Sequence, residues 1–199
     1  MFKSNPSPGI FIYEDFYPQA SDLLAVVKEI AGWEYSAVPW MNSTHGDGTR
    51  GGPKPAADGY RNCVESTVFN VFQFADEDHA PLREELKEYQ MALNSVTSEI
   101  NTSYGVGFKG DEGLKVLRYD KDIEYEVRVD PHLHNARLLT AHMFLNDDFT
   151  GGQIEFPYHD ITVQPKAGTL VVFPPSWSYS FTAHPVKDGE KYVLLTWYR

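Results

Sequence analysis

The stretch YDKDIEYEVRVDPHLH, residues 119–134, sets two tyrosines, an arginine and an acid in front of two histidines. Its centre, YEVRV, has the aromatic and β-branched composition of a short strand. Side chains alternate along a strand, so Arg128 and Asp130, two residues apart, share a face. Tyr125 follows Tyr119 by six residues, and Asp130 follows Tyr125 by five. His132 and His134 come two and four residues after Asp130, beside Pro131.

Outward from this stretch the same rhythm continues. LKVLRY precedes it, and LLTAHMFL, GQIEF, ITVQP, TLVVF and YVLLTWY follow, with Gly, Pro, Asn and Asp between them. Strands this short and this frequent predict a sandwich or barrel. Toward the N-terminus the period changes. Leu82, Leu86, Tyr89, Leu93, Val96 and Ile100 recur every three or four residues and predict one apolar helix face over residues 80–102, packed across a sheet. GIFIYEDFYP reads as a strand entering a turn, followed by a helix over DLLAVVKEI with Ser21 as its cap and Gly32 as its stop. Residues 41–59 hold five glycines and two prolines and read as a long exposed loop: a lid, a docking loop or a plain excursion. The expectation is one domain over residues 1–199, with residues 1–109 supporting a sheet-rich core at 110–199.

Composition narrows the functional classes. A net charge of −11 argues against a non-specific nucleic-acid binder, which needs clustered Lys and Arg. Cys63 is the single cysteine, so no disulfide forms within the chain and a reducing compartment is expected. MFKSNPSPGIFIYEDFYP has no long apolar run, and neither a signal peptide nor a spanning helix is read from it. A soluble, intracellular protein is the expectation.

The pieces from residue 110 to 199, in their order and spacing, resemble the iron(II)/2-oxoglutarate oxygenases. The likeness is to the prolyl 4-hydroxylase-like type, which includes small versions encoded by bacteriophages. Tyr119 and Tyr125 match that family's paired tyrosines, and Asp130 matches the acid of its His-x-Asp motif. LTAHMFLNDDFTGGQIEFP, VQPKAGTLVVFPPS and PVKDGEKYVLLTWY resemble the segments that follow. The resemblance implies an α+β, mainly β fold: a double-stranded β-helix, or jelly roll, braced by N-terminal helices. It also implies a 2-oxoglutarate pocket in which Tyr119 and Lys191 meet the cosubstrate, unless these two serve only to support the fold.

The same resemblance exposes a departure. Iron(II) in such a site is held by two imidazoles and one carboxylate, which leave the remaining positions open. Where the family has its two histidines, this chain carries Arg128 and Phe181, and only Asp130 remains at a ligand position. His132, His134 and His184 are candidates for displaced ligands. His132 reverses the His-x-Asp order, and His184, three residues past Phe181, falls on the opposite face of a regular strand. His142 and His159 read as wall or surface positions. Arg128 offers a permanent positive charge that can pair with Asp130 where the metal would stand, with Phe181 as an aromatic wall. The plain alternative is that Arg128 points to solvent.

Two functional classes follow from the resemblance. The first is a non-catalytic protein on the oxygenase fold, without cofactor, serving binding or assembly. Its partner is another protein or further copies of itself, with neither nucleic acid nor membrane, and in a phage-encoded version its place is the host cytoplasm or the virion. The second is an active hydroxylase using Fe(II) and 2-oxoglutarate through displaced ligands.

Overall fold

The computed structural model describes residues 2–31, 64–67, 80–121, 125–128 and 136–199. The Gly/Pro-rich loop at 41–59, the stop at Gly32, and Asp130, His132 and His134 lie outside the described residues.

Strand β1 (Phe2–Ser7) forms a hairpin with β2 (Ile10–Glu14), and helix α1 (Ala20–Ala31) follows. Strand β3 (Val64–Thr67) precedes helix α2 (Ala80–Tyr104). The strand-rich half then runs β4 (Lys115–Tyr119), β5 (Tyr125–Arg128), β6 (Leu139–Phe144), β7 (Thr150–Gly151), β8 (Ile154–Phe156) and β9 (Ile161–Val163). It closes with β10 (Leu170–Phe173), β11 (Phe181–Ala183), β12 (Val186–Asp188) and β13 (Lys191–Tyr198).

These strands make a main sheet in the order β1-β2-β10-β6-β13-β4-β3 and a second sheet in the order β5-β11-β8-β9. β12 and β7 form a separate two-stranded ribbon. From β4 to β13 the chain passes repeatedly from one sheet to the other, and every pairing among these strands is antiparallel. That is a double-stranded β-helix, the expected fold.

The main sheet is covered on both faces. All eight residues of β13 are buried, which is why KYVLLTWY reads as one continuous run without an exposed alternate. Tyr192, Leu194 and Tyr198 pack toward the helices, whereas Val193, Leu195 and Trp197 pack between the sheets. β10 divides likewise: Leu170 and Val172 go to the helix side, Val171 and Phe173 to the interior.

The long helix has the face its period predicts. Leu82, Leu86, Tyr89, Leu93, Val96 and Ile100 are all buried in the helix-side core, and the helix ends at Tyr104, two residues past the expected boundary of 102. Full burial of each such side chain stabilises by roughly 1.5–3 kcal/mol. Gly105, at φ +61°, follows the last helical residue in the left-handed conformation that closes helices, and the Asn101 side chain accepts from Gly107 N at 2.7 Å. At the other end of the support, Lys3 reaches Glu99 at 2.6 Å and ties β1 to α2.

Helix α1 corrects one expectation. It begins at Ala20, so Ser21 lies inside the first turn and is not its cap. The chain enters through a turn in which Ala20 N donates to Tyr17 O at 3.1 Å, and Phe16 N and Tyr17 N both donate to Gly168 O. The entry is therefore set by backbone pairing with the β9–β10 turn. Gly168 is obligatory there, because a Cβ would lie 2.4 Å from Tyr17 O.

Candidate functional site

The site expected from the sequence maps to the space between the two sheets. β5 and β11 are antiparallel neighbours, and their register sets residue 128 directly opposite residue 181. The two positions at which the resemblance expects imidazoles are thus cross-strand partners. Phe181 is buried, 2% exposed, in the inter-sheet core. Its ring packs against Phe173 at 5.2 Å and 71°, and against Phe156 at 6.1 Å and 45°. Phe156 and Phe173 meet edge-to-face at 4.9 Å. The three rings come from β11, β10 and β8, so they bind the two sheets to each other. Aromatic pairs in such geometry add about 0.5–1.5 kcal/mol beyond the area they bury.

Farther along the interior the wall is polar. Lys191 begins β13, pairs in register with Tyr119 of β4, and is fully buried. Its Nζ donates to Gly152 O at 3.1 Å and lies 4.0 Å above the Tyr119 ring. A buried ammonium is costly without such partners. Gly152, at φ +68°, has no room for a side chain: a Cβ there would lie 2.8 Å from the Phe149 ring and 3.1 Å from Lys191 Cδ. Between the two ends, His142 is buried edge-on to Phe144 at 5.2 Å, in register with Val171 and Leu195. It is a wall residue, as the sequence suggested.

The remaining histidines serve other contacts. His184 Nε2 meets Glu155 Oε2 at 2.7 Å, both side chains being about 40% exposed. Glu155 lies between the inward-packed Ile154 and Phe156, so this pair is on the face of the second sheet away from the Phe181 rings. His159 stacks on Tyr179 at 4.8 Å, with Nδ1 at 2.8 Å from Ser7 Oγ and Nε2 at 2.9 Å from Ser178 O. Among the described residues no three His, Cys, Asp or Glu side chains converge as a metal would require.

Sequence reasoning passed over two groups here. Arg137 forms a two-point ion pair with Glu112, at 3.0 and 2.6 Å to Oε2, and its guanidinium lies 3.6 Å from the centre of the Trp197 ring. Nothing in NARLL marks that arginine before the fold brings residue 112 alongside. The second group is Asn146, whose side chain bonds three partners around Lys191. In the sequence it reads as one more turn residue in LNDDFTGG.

The comparisons with known proteins agree with this architecture. A model of the 2OG-Fe(II) oxygenase superfamily matches residues 114–199. Over these residues, fewer than half of the chain, the barrel is similar to the 2OG-Fe(II) oxygenase superfamily. A putative prolyl 4-hydroxylase of Acanthamoeba polyphaga mimivirus is 27% identical over 127 residues, 54% of this chain and 52% of that protein. The chain thus matches about half the length of that relative. A Pseudomonas putida prolyl-4-hydroxylase superposes with a TM-score of 0.68 at 21% identity, covering 96% of this chain and 92% of the other. The viral collagen prolyl hydroxylase of Paramecium Bursaria Chlorella virus-1, in its 2OG complex, superposes at 0.60 with 18% identity, covering 96% and 95%. At these identities the superpositions speak for the fold.

The two groups that oxygenases of this superfamily employ would fare differently in this barrel. An iron facial site does not fit the aromatic end, because the phenyl ring of Phe181 has no lone pair and is enclosed by Phe156 and Phe173. A carboxylate suits the other end, where the Lys191 ammonium is held in the wall beside the Tyr119 ring.

Proposed function

We propose that this protein uses the oxygenase barrel for binding or assembly and carries out no iron-dependent hydroxylation. The observation that carries this reading is Phe181: at a ligand position it is a buried hydrocarbon in a three-ring contact that joins the two sheets. The reading includes an ion pair between Arg128 and Asp130 in place of the metal, which the register of Arg128 opposite Phe181 favours. The Lys191 end is retained as an anchor for a carboxylate that is bound and not turned over. Two of the similar proteins are viral, which supports placing the binding role in an infected cell or a virion, with a protein partner or further copies of this chain.

The names of those relatives favour a second reading, a 2-oxoglutarate-dependent hydroxylase with displaced ligands. Asp130 with His132, His134 or His184 would then hold Fe(II). One experiment separates the two. Protein purified anaerobically with Fe(II) is assayed for bound iron by elemental analysis and for succinate formed from 2-oxoglutarate. Sub-stoichiometric iron unaffected by Asp130→Ala, together with no succinate above the protein-free background, supports the binding reading. Near-stoichiometric iron that Asp130→Ala removes, or sustained succinate production, overturns it.

A further inference from the structure

We propose that Asn146 is the positioning residue for Lys191, setting the buried ammonium through the backbone on both sides of it. This rests on the reading of Lys191 as a carboxylate anchor. β6 ends at Phe144, whose register partner is Val193, and one further ladder bond runs from Leu145 N to Tyr192 O at 2.9 Å. Beyond that point β6 has no backbone left to pair with the start of β13, and the Asn146 side chain takes over. Its Oδ1 accepts from Tyr192 N at 2.7 Å, and its Nδ2 donates to Glu190 O at 2.8 Å. The two peptide groups flanking Lys191 are therefore held by one planar amide. Nδ2 also donates to Asp148 Oδ1 at 2.5 Å, which fixes the amide plane.

The consequence for Lys191 is directional. Residue 191 is the first of its strand and would fray without a partner on the β6 side. With both neighbours pinned, its side chain stays inward, where Nζ reaches Gly152 O and the Tyr119 ring. Asn146 is 6% exposed, and it forms one wall of a cleft of about 340 Å³ with Asp147, Asp148, Leu24 and Lys28. The clamp thus lies between solvent and the barrel interior. An aspartate at 146 keeps the acceptor for Tyr192 N but loses both donations, so the two halves of the clamp are separable.

The experiment uses the full chain and reads acylation of Lys191 by an amine-reactive ester, located by mass spectrometry, with exposed Lys87 as internal reference. Wild type should be protected at Lys191. Asn146→Ala should raise its labelling about tenfold relative to Lys87, equivalent to ~1.4 kcal/mol, with Asn146→Asp between the two. Leu93→Ala, which loosens the helix-side core away from the clamp, serves as control. Labelling of Asn146→Ala at the wild-type rate, or an equal rise in Leu93→Ala at matched thermal stability, overturns the proposal. Calorimetry with 2-oxoglutarate separates the clamp from the anchor reading. If wild type binds and Asn146→Ala binds about tenfold more weakly, both stand. If nothing binds while Lys191 labelling still depends on Asn146, the anchor reading falls and the positioning role holds. Binding that is indifferent to Asn146→Ala overturns the positioning role and leaves the anchor.

Discussion

Toward the helices, the main sheet presents Leu170, Val172, Leu139, Ala141, Met143, Leu194 and the rings of Tyr13, Tyr192 and Tyr198. Toward the second sheet the same strands present Thr140, His142, Lys191 and Tyr119 among Phe144, Phe173 and Trp197. The first face is met by α1 and α2, whose side chains are replaceable in kind as long as volume and polarity match. The second face is met by the short strands of the second sheet, and its two ends differ in kind. One end is a ring contact between the sheets, and the other holds the buried ammonium of Lys191. The difference teaches that one buried sheet can hold a purely apolar face and a mixed polar and aromatic face, with the phenyl ring of Phe181 acting as packing between the sheets.

The strongest way to break this contrast is to reverse it. Arg128→His with Phe181→His restores two imidazoles on cross-strand neighbours, with Asp130 two residues on. If the barrel is otherwise intact, the double variant should pass from no bound iron to near-stoichiometric iron by elemental analysis. Either single variant should bind far less. Failure of the double variant to bind while it remains folded would mean that the rest of the cavity has closed as well.

Next in size are truncations on the two faces. Phe181→Ala removes the ring that joins the sheets and should cost about 3–5 kcal/mol in urea unfolding, and Leu93→Ala on the helix side about 2–5. The sharper contrast is Phe181→His, nearly conserved in volume. In a dry interior it strands a polar ring and should cost about 1–3 kcal/mol. A neutral result for Phe181→His would show that the interior admits water at this position.

The third test concerns the ion pair. Arg128→Ala and Asp130→Ala should each destabilise strongly, by up to about 3–5 kcal/mol if the pair is buried, and the double change should cost less than their sum. Additive, near-neutral effects would remove the pair from the account and leave Arg128 as a solvated side chain.

Which parts of this were legible beforehand follows from the physics of each signal. The helix face from Leu82 to Ile100 is marked by six apolar residues, and the buried strands β6, β10 and β13 are mostly apolar runs, broken by Thr140, His142, Lys191 and Thr196; repetition survives any local exception. β7 and β12 are two or three residues long, too short to show alternation, and were not anticipated as strands. FKSNPS holds Asn5 and Pro6 and carries no strand pattern, yet it pairs as β1 through its hairpin register with β2, with Lys3 tied to Glu99 of α2. In the site, the positions of Tyr119, Phe181 and Lys191 came from ordered family segments. Their partners did not: Gly152 meets Lys191 across 39 residues of chain and Asn146 meets Tyr192 across 46, and no local pattern encodes a contact at that separation. His184 was placed on the outer face by strand parity alone, and its Glu155 contact bears that parity out.

The smallest expected effect is that of a single tyrosine in the alkaline pH dependence of the helix-side core. Burial pushes the Tyr198 hydroxyl up to about 12, and it raises Tyr17, Tyr89 and Tyr192 as well, with Glu85 beside Tyr17 and Glu190 beside Tyr192 adding to the rise. All four pack on the helix side. An unfolded tyrosine titrates near ~10. The folded state therefore holds these protons more tightly than the unfolded chain. The stability they confer is full below about pH 10 and falls as pH rises through about 12. The steepest slope per group is ~1.4 kcal/mol per pH unit. Urea midpoints measured upward from neutral pH should stay level and then drop in this window, and α2 amides should lose exchange protection before those of β10 and β11. Tyr198→Phe removes one proton from the linkage and should flatten the drop by up to that single-group slope, while changing stability at neutral pH by about 1 kcal/mol or less. An unchanged slope in that variant, or loss of protection in β11 ahead of α2, would place the alkaline weakness in the barrel interior and reverse the contrast between the two faces.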